Sequence, residues 1–152
     1  MISCLNRYFF GLFRFGTIRS YVMSTHLILL ADDEPHITHI IAHKLTRAGY
    51  EVVTVEDGEM AFKTALERMP SAIVTDLQMP YLSGIELAQQ LAANASTKDI
   101  PIIMLTARGY TIEEELSKLP SVKKLLSKPF SAKDLLKDIN ALLVDNQGGL
   151  AA

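Results

Sequence analysis

Four polar stretches, each directly behind an apolar run, carry the residues of this chain that could do chemistry. Asp32 and Asp33 follow Leu29-Leu30-Ala31, Asp76 follows Ala72-Ile73-Val74-Thr75, Thr106 closes Ile102-Ile103-Met104-Leu105, and Lys128-Pro129 follows a run beginning at Val122. Two neighbouring carboxylates repel and raise each other's pKa unless a cation intervenes. A hard divalent ion relieves that repulsion, and magnesium fits by ligand type: it prefers oxygen donors, keeps several waters and is usually held by one or two carboxylates with substrate phosphate. An aspartate at a strand end can act as a nucleophile toward phosphorus, forming an acyl phosphate, a reaction that asks the protein mainly for alignment and charge neutralisation. Lys128 offers a compact ammonium to one phosphoryl oxygen and Thr106 a hydroxyl to a second. Taken singly, each residue has an ordinary reading as well: a solvated helix cap for the acid pair, a turn former for Asp76, surface polarity for Lys128 and Thr106.

The elements that must position these residues alternate in period. Strand-like Leu27–Ala31 leads to helix-like Ile37–Ala48, Glu51–Val55 to Glu59–Arg68, Ala72–Thr75 to Gly84–Ala93, Ile102–Leu105 to a short helix near Ile112–Lys118, and Val122–Leu126 to a last helix over Ser131–Val144. Pro70, Pro101 and Pro120 fall between elements, where a missing amide donor does least harm, and Ser131 stands where an N-cap is wanted. Five βα units predict a doubly wound α/β fold with a parallel sheet. In such sheets ligands bind at the carboxyl ends of the strands, where the four polar stretches fall.

Composition bounds the rest. With 152 residues, 49% hydrophobic and 21% charged, the chain is expected to form one globular domain. A net charge of -2 and a pI near 6.1 leave no basic stripe for nucleic-acid phosphates, so no nucleic-acid partner is expected. Cys4 is the single cysteine, which excludes an internal disulfide framework and suits a reducing compartment, the cytoplasm. Residues 1–25 carry Arg7, Arg14 and Arg19, no acid, and the cluster Tyr8, Phe9, Phe10, Phe13 and Phe15. The apolar run between Arg7 and Arg14 is shorter than the roughly 20 residues that span a bilayer. Met23 reads as the true start, with residues 1–25 as an N-terminal extension, residues 26–145 as the domain and residues 146–152 as a tail.

The joint pattern resembles the receiver domain of two-component response regulators: an acid pair after strand one, an aspartate after strand three, a Thr or Ser after strand four and Lys-Pro after strand five. The stretch Asp76-Leu77-Gln78-Met79-Pro80-Tyr81-Leu82-Ser83-Gly84-Ile85-Glu86-Leu87 is similar to that family's phosphorylation-site signature. The resemblance implies a flavodoxin-like three-layer (βα)5 sandwich with a five-stranded parallel sheet in the order 2-1-3-4-5. It implies Asp76 as phosphoacceptor, Mg2+ held by Asp33, Asp76 and the Gln78 backbone carbonyl with Asp32 acting through water, Thr106 and Lys128 on the phosphoryl oxygens, and a cis Lys128–Pro129 peptide. The implied donor is a histidine kinase or histidine phosphotransfer domain. The implied output of such a stand-alone regulator is a downstream protein of unspecified identity, and its chemistry is limited to assisting its own phosphorylation by the donor and to slow self-dephosphorylation, not turnover of a metabolite. Gln78 and Arg108 fall where the family tunes access of the attacking water.

The chain also departs from the family. Leu125 stands where a Tyr or Phe usually couples to the threonine, and Leu119-Pro120-Ser121-Val122-Lys123-Lys124 replaces the usual Gly-Ala-Asp approach to strand five, which predicts a shortened fourth helix. Tyr110 is a candidate substitute aromatic. His36, His39 and His43 share one arc of the first helix; no carboxylate or cysteine completes a zinc-like set, and exposed histidines on a docking face are expected. An aspartate-nucleophile phosphatase would want a second acid where Gln78 stands. A scaffold or phosphate sink with impaired switching is the alternative that Leu125 raises.

Overall fold

A computed structural model describes residues 25–107 and 112–148. Strand β1 (Leu27–Ala31) is followed by α1 (Pro35–Arg47), β2 (Glu51–Val55), α2 (Gly58–Arg68), β3 (Ala72–Asp76), α3 (Gly84–Ala93), β4 (Ile102–Thr106), α4 (Glu113–Leu116), β5 (Val122–Ser127) and α5 (Ala132–Gly148). All strand pairs are parallel and their order is β2-β1-β3-β4-β5, the topology the resemblance implies.

Strand alternation sorts the apolar side chains onto two faces. Leu29, Ala31, Ile73, Ile102 and Met104 meet Ala61 and Ala65 of α2 and Leu87, Ala88 and Leu91 of α3. Ile28, Leu30, Val74, Ile103 and Leu105 meet Ile41 and Leu45 of α1 and Leu135, Ile139 and Leu143 of α5. The three central strands, covered on both sides, are therefore continuous apolar runs, whereas β2 and β5 at the edges carry exposed residues. On β5 those residues are Lys123, Lys124 and Ser127, and the two lysines are charges that blunt an open edge. Pairing with β4 shifts register there: Ile102 faces Val122 but Ile103 faces Lys124.

Several boundaries differ from the sequence expectation for identifiable reasons. Strands β3, β4 and β5 run through Asp76, Thr106 and Ser127, because ladder bonds such as Leu77 N–H to the Leu105 carbonyl (2.8 Å) continue past the last apolar side chain. Helix α1 begins at Pro35, where a proline lacks only a donor that would be unpaired anyway. Helix α5 continues beyond Val144 to Gly148, since no helix breaker intervenes before that glycine. Ser131 Oγ accepts the Lys133 amide at 3.1 Å, the cap expected of it. Helix α4 has four residues, shorter than the 112–118 expected.

Candidate functional site

The strand order places the four polar stretches side by side. Because β1 pairs with β3 in the register Ala31↔Thr75, Asp32 and Asp76 are neighbours at one edge of the sheet. Asp76 pairs with Leu105 across to β4, so Thr106 lies one residue further along, and Thr106 pairs with Ser127 on β5. The Lys128 amide donates to the Thr106 carbonyl at 2.7 Å, and the Lys128–Pro129 peptide is cis.

Asp32 is fully buried and its Oδ1 accepts the Glu34 amide at 2.9 Å, while Asp33 is exposed. Asp76 is 6% exposed, with Oδ1 accepting the Leu77 amide at 2.9 Å. Carboxylate oxygens of Asp32, Asp33 and Asp76 all lie within 4.8 Å of one another, and among the described residues no other trio of His, Cys, Asp or Glu converges in this way. The Lys128 ammonium reaches across from β5 to lie 2.9 Å from Asp32 Oδ2, 2.9 Å from Glu34 Oε1 and 3.6 Å from Asp76 Oδ1. Thr106 is buried at the sheet edge, and Gln78 lies in the exposed loop after β3.

The electrostatics follow from this crowding. Burial pushes the Asp76 carboxyl up to about 6, against the pull of Lys128 and the Leu77 amide and with the charges of Asp32 and Asp33 adding to the rise. Burial alone would lower Lys128, but hydrogen bonds to Glu34 and Asp32 and the charges of Asp76 and Asp32 hold it above the usual lysine range, so it stays cationic. Three carboxylates facing one lysine leave negative charge in excess, and the donors are all hard oxygens. That chemistry fits a magnesium ion.

The β3–α3 loop is pinned where the backbone comes closest. A Cβ on Gly84 would lie 2.4 Å from the Asp76 carbonyl oxygen, and one on Gly58 2.1 Å from that of Leu82. Only glycine admits such approaches, so the start of α3 abuts the phosphoacceptor candidate and the start of α2 braces the loop. A reciprocal cap closes α3: Ser83 Oγ accepts the Glu86 amide, and Glu86 Oε2 accepts the Ser83 amide at 2.8 Å. These Ser83 hydrogen bonds keep the Glu86 carboxyl below its usual range.

The structure thus converges Asp32, Asp33, Asp76 and Lys128 by measured distance and Thr106 by register. Arg108 and Tyr110 lie outside the described residues. His36, His39 and His43 are exposed along α1 and form no metal-binding group. Elsewhere on α1, Ile37, Ile40 and Ile41 join Pro129 and Phe130 in lining an apolar groove of about 470 Å3 to which Glu34 and Lys128 also contribute. The sequence reading missed two features: the Ser83–Glu86 cap, signalled by Ser-x-x-Glu ahead of an apolar helix, and Glu34, the third acid in an Asp-Asp-Glu run. Among the described residues no helix is long and apolar enough to cross a membrane.

Comparison with known proteins agrees with this fold. Residues 28–140 match the family model of the response regulator receiver domain. The phosphate regulon transcriptional regulatory protein PhoB of Pseudomonas aeruginosa is 40% identical over 120 residues, covering 76% of this chain and 51% of that protein. The alkaline phosphatase synthesis transcriptional regulatory protein PhoP of Bacillus subtilis is 36% identical over 116 residues, covering 76% and 48%. The chain spans about half the length of these curated relatives. Among solved structures, the chemotaxis response regulator CheY4 of Vibrio cholerae is similar with a TM-score of 0.73 at 30% identity, covering 79% of this chain and all of that one. The receiver domain of the sensor histidine kinase PA1611 from Pseudomonas aeruginosa, solved with magnesium coordinated in its active-site cleft, gives a TM-score of 0.72 at 28% identity, covering 79% and 98%.

Proposed function

This chain belongs to the response regulator receiver family of two-component systems, and we propose that it accepts a phosphoryl group on Asp76 from a histidine kinase or histidine phosphotransfer domain. The observation that carries the proposal is the Lys128 ammonium 3.6 Å from an Asp76 carboxylate flanked by two further acids. The Asp76 carboxylate attacks phosphorus, an O–P bond forms as the donor's P–N bond breaks, and the leaving imidazole takes a proton from solvent. Lys128 and Thr106 receive the phosphoryl oxygens. Asp33, Asp76 and the Gln78 carbonyl would hold magnesium, with Asp32 acting through water; the ion would supply neutralisation of charge on the transferred group. Water later attacks the same phosphorus and gives up a proton to solvent, the O–P bond to Asp76 breaks, inorganic phosphate leaves, and the carboxylate is restored.

Helix α1, which carries the exposed histidines and one wall of the apolar groove, is the docking face proposed for the phosphodonor, and output passes to a further protein in the cytoplasm. The transcriptional roles in the relatives' names belong to proteins about twice as long as the matched segment. A second reading, a phosphate sink or scaffold, is favoured by one observation: Leu125, where the family carries a mobile aromatic, is packed against the α2/α3-side core.

Incubation with acetyl phosphate and Mg2+, followed by intact mass measurement, tests the proposal. The expected result is one added phosphoryl group, lost with chelator and in Asp76→Asn. An unchanged mass under all conditions would sink it.

A further inference from the structure

Lys128 is held by two carboxylates in very different surroundings. Its ammonium lies 2.9 Å from each of Asp32 and Glu34, but the Asp32 side chain is 0% exposed and that of Glu34 is 55% exposed. An ammonium has three N–H donors. Two are committed at hydrogen-bond length, and Asp76 at 3.6 Å faces what remains. A phosphoryl group on Asp76, the reading on which this inference rests, brings new oxygen acceptors to the same ammonium. Releasing Asp32 would strand a buried carboxylate, whereas releasing Glu34 returns a carboxylate to water at small cost.

We propose that Glu34 is a positioning residue that holds Lys128 in the resting site and yields it to the incoming phosphoryl oxygen. The structural bonds of Glu34 are all made by its backbone: its carbonyl accepts the Ile37 and Thr38 amides at the start of α1 and its amide donates to Asp32, while its side chain, at the N-cap, caps nothing. The Glu34–Lys128 pairing therefore works against phosphorylation, and its loss favours the phosphoryl-bound state. Exposed ion pairs of this kind are worth a factor of about two to five in an equilibrium.

The test is a titration of the full chain with beryllofluoride in excess Mg2+, followed by backbone amide and lysine side-chain NMR, for the wild type, Glu34→Gln and Glu34→Asp. The aspartate variant keeps the negative charge at the mouth but is one methylene too short to hold the lysine as Glu34 does. Both variants are expected to bind about two to five times more tightly than the wild type, with Lys128 Cε resonances that differ from wild type before titration and coincide with it at saturation. Tighter binding by Glu34→Gln alone would show simple charge repulsion at the mouth, and equal binding by all three would show a merely structural pair; either result overturns the inference. A wild type that binds no beryllofluoride overturns the proposed function, and this inference with it.

Discussion

Asp76 is the residue whose surroundings most oppose its charged form. Its carboxyl is raised from 3.8 to about 6 by burial, with Lys128 and the Leu77 amide pulling the other way and Asp32 and Asp33 adding to the rise. The folded-state value exceeds the unfolded one, so without metal the fold binds this proton more tightly than the unfolded chain does. The associated stability is fully present below about pH 4 and is lost as the pH rises through about 6, a change on the order of 3 kcal/mol. Denaturant melts in chelator at a series of pH values should show that decline in the wild type and a flatter profile for Asp76→Asn, which should also be the more stable protein at neutral pH. A profile equally steep in Asp76→Asn would place the strain elsewhere. Asp32, Asp33, Asp76, Thr106 and Lys128 were legible as candidates because each ends an apolar run, a pattern one sequence displays. Glu34 was not, because its role depends on a lysine 94 residues away whose reach only the folded chain reveals.

At the scale of elements, the loop after β3 is held by contact as much as by hydrogen bonding. Gly84 N–H donates to the Leu77 carbonyl at 2.9 Å, and the missing Cβ lets the α3 N-terminus rest on the Asp76 backbone. Gly84→Ala would force a methyl into backbone atoms that cannot yield, so thermal or denaturant melts should show a loss of about 1–3 kcal/mol. Gly58→Ala should cost a similar amount, since its clash is also with backbone. A neutral Gly84→Ala would mean that the loop relaxes and does not position Asp76. The existence and kind of every element were legible from alternating period, and so were the bounds of β1, β2 and α3, but the other boundaries were not. Apolar patterning marks what is buried, whereas ladder bonds extend β3 to Asp76 and helix propagation extends α5 to Gly148. The register shift at Lys123–Lys124 has no counterpart in the alternation of the sequence, because both edge lysines read simply as polar.

For the whole molecule, a sheet with apolar side chains sorted onto two helical layers leaves the carboxyl ends of β1, β3, β4 and β5 as the place where charge gathers. Topology explains why residues 32, 76, 106 and 128 meet. What it leaves separate is whether phosphoryl uptake moves a distant surface, since a ligand shifts conformations only by its preference between them. Leu125, half-buried and packed against the α2/α3-side core, stands at the position on which that coupling would depend. The claim beneath every other one is that Asp76 is the residue that becomes phosphorylated. Treating the acetyl phosphate-modified protein with borohydride converts an aspartyl phosphate to homoserine, which tandem mass spectrometry of the digested chain then locates. The predicted result is homoserine at position 76 alone, absent when magnesium is chelated; homoserine at another aspartate, or none from a protein that has gained a phosphoryl group, would contradict the account.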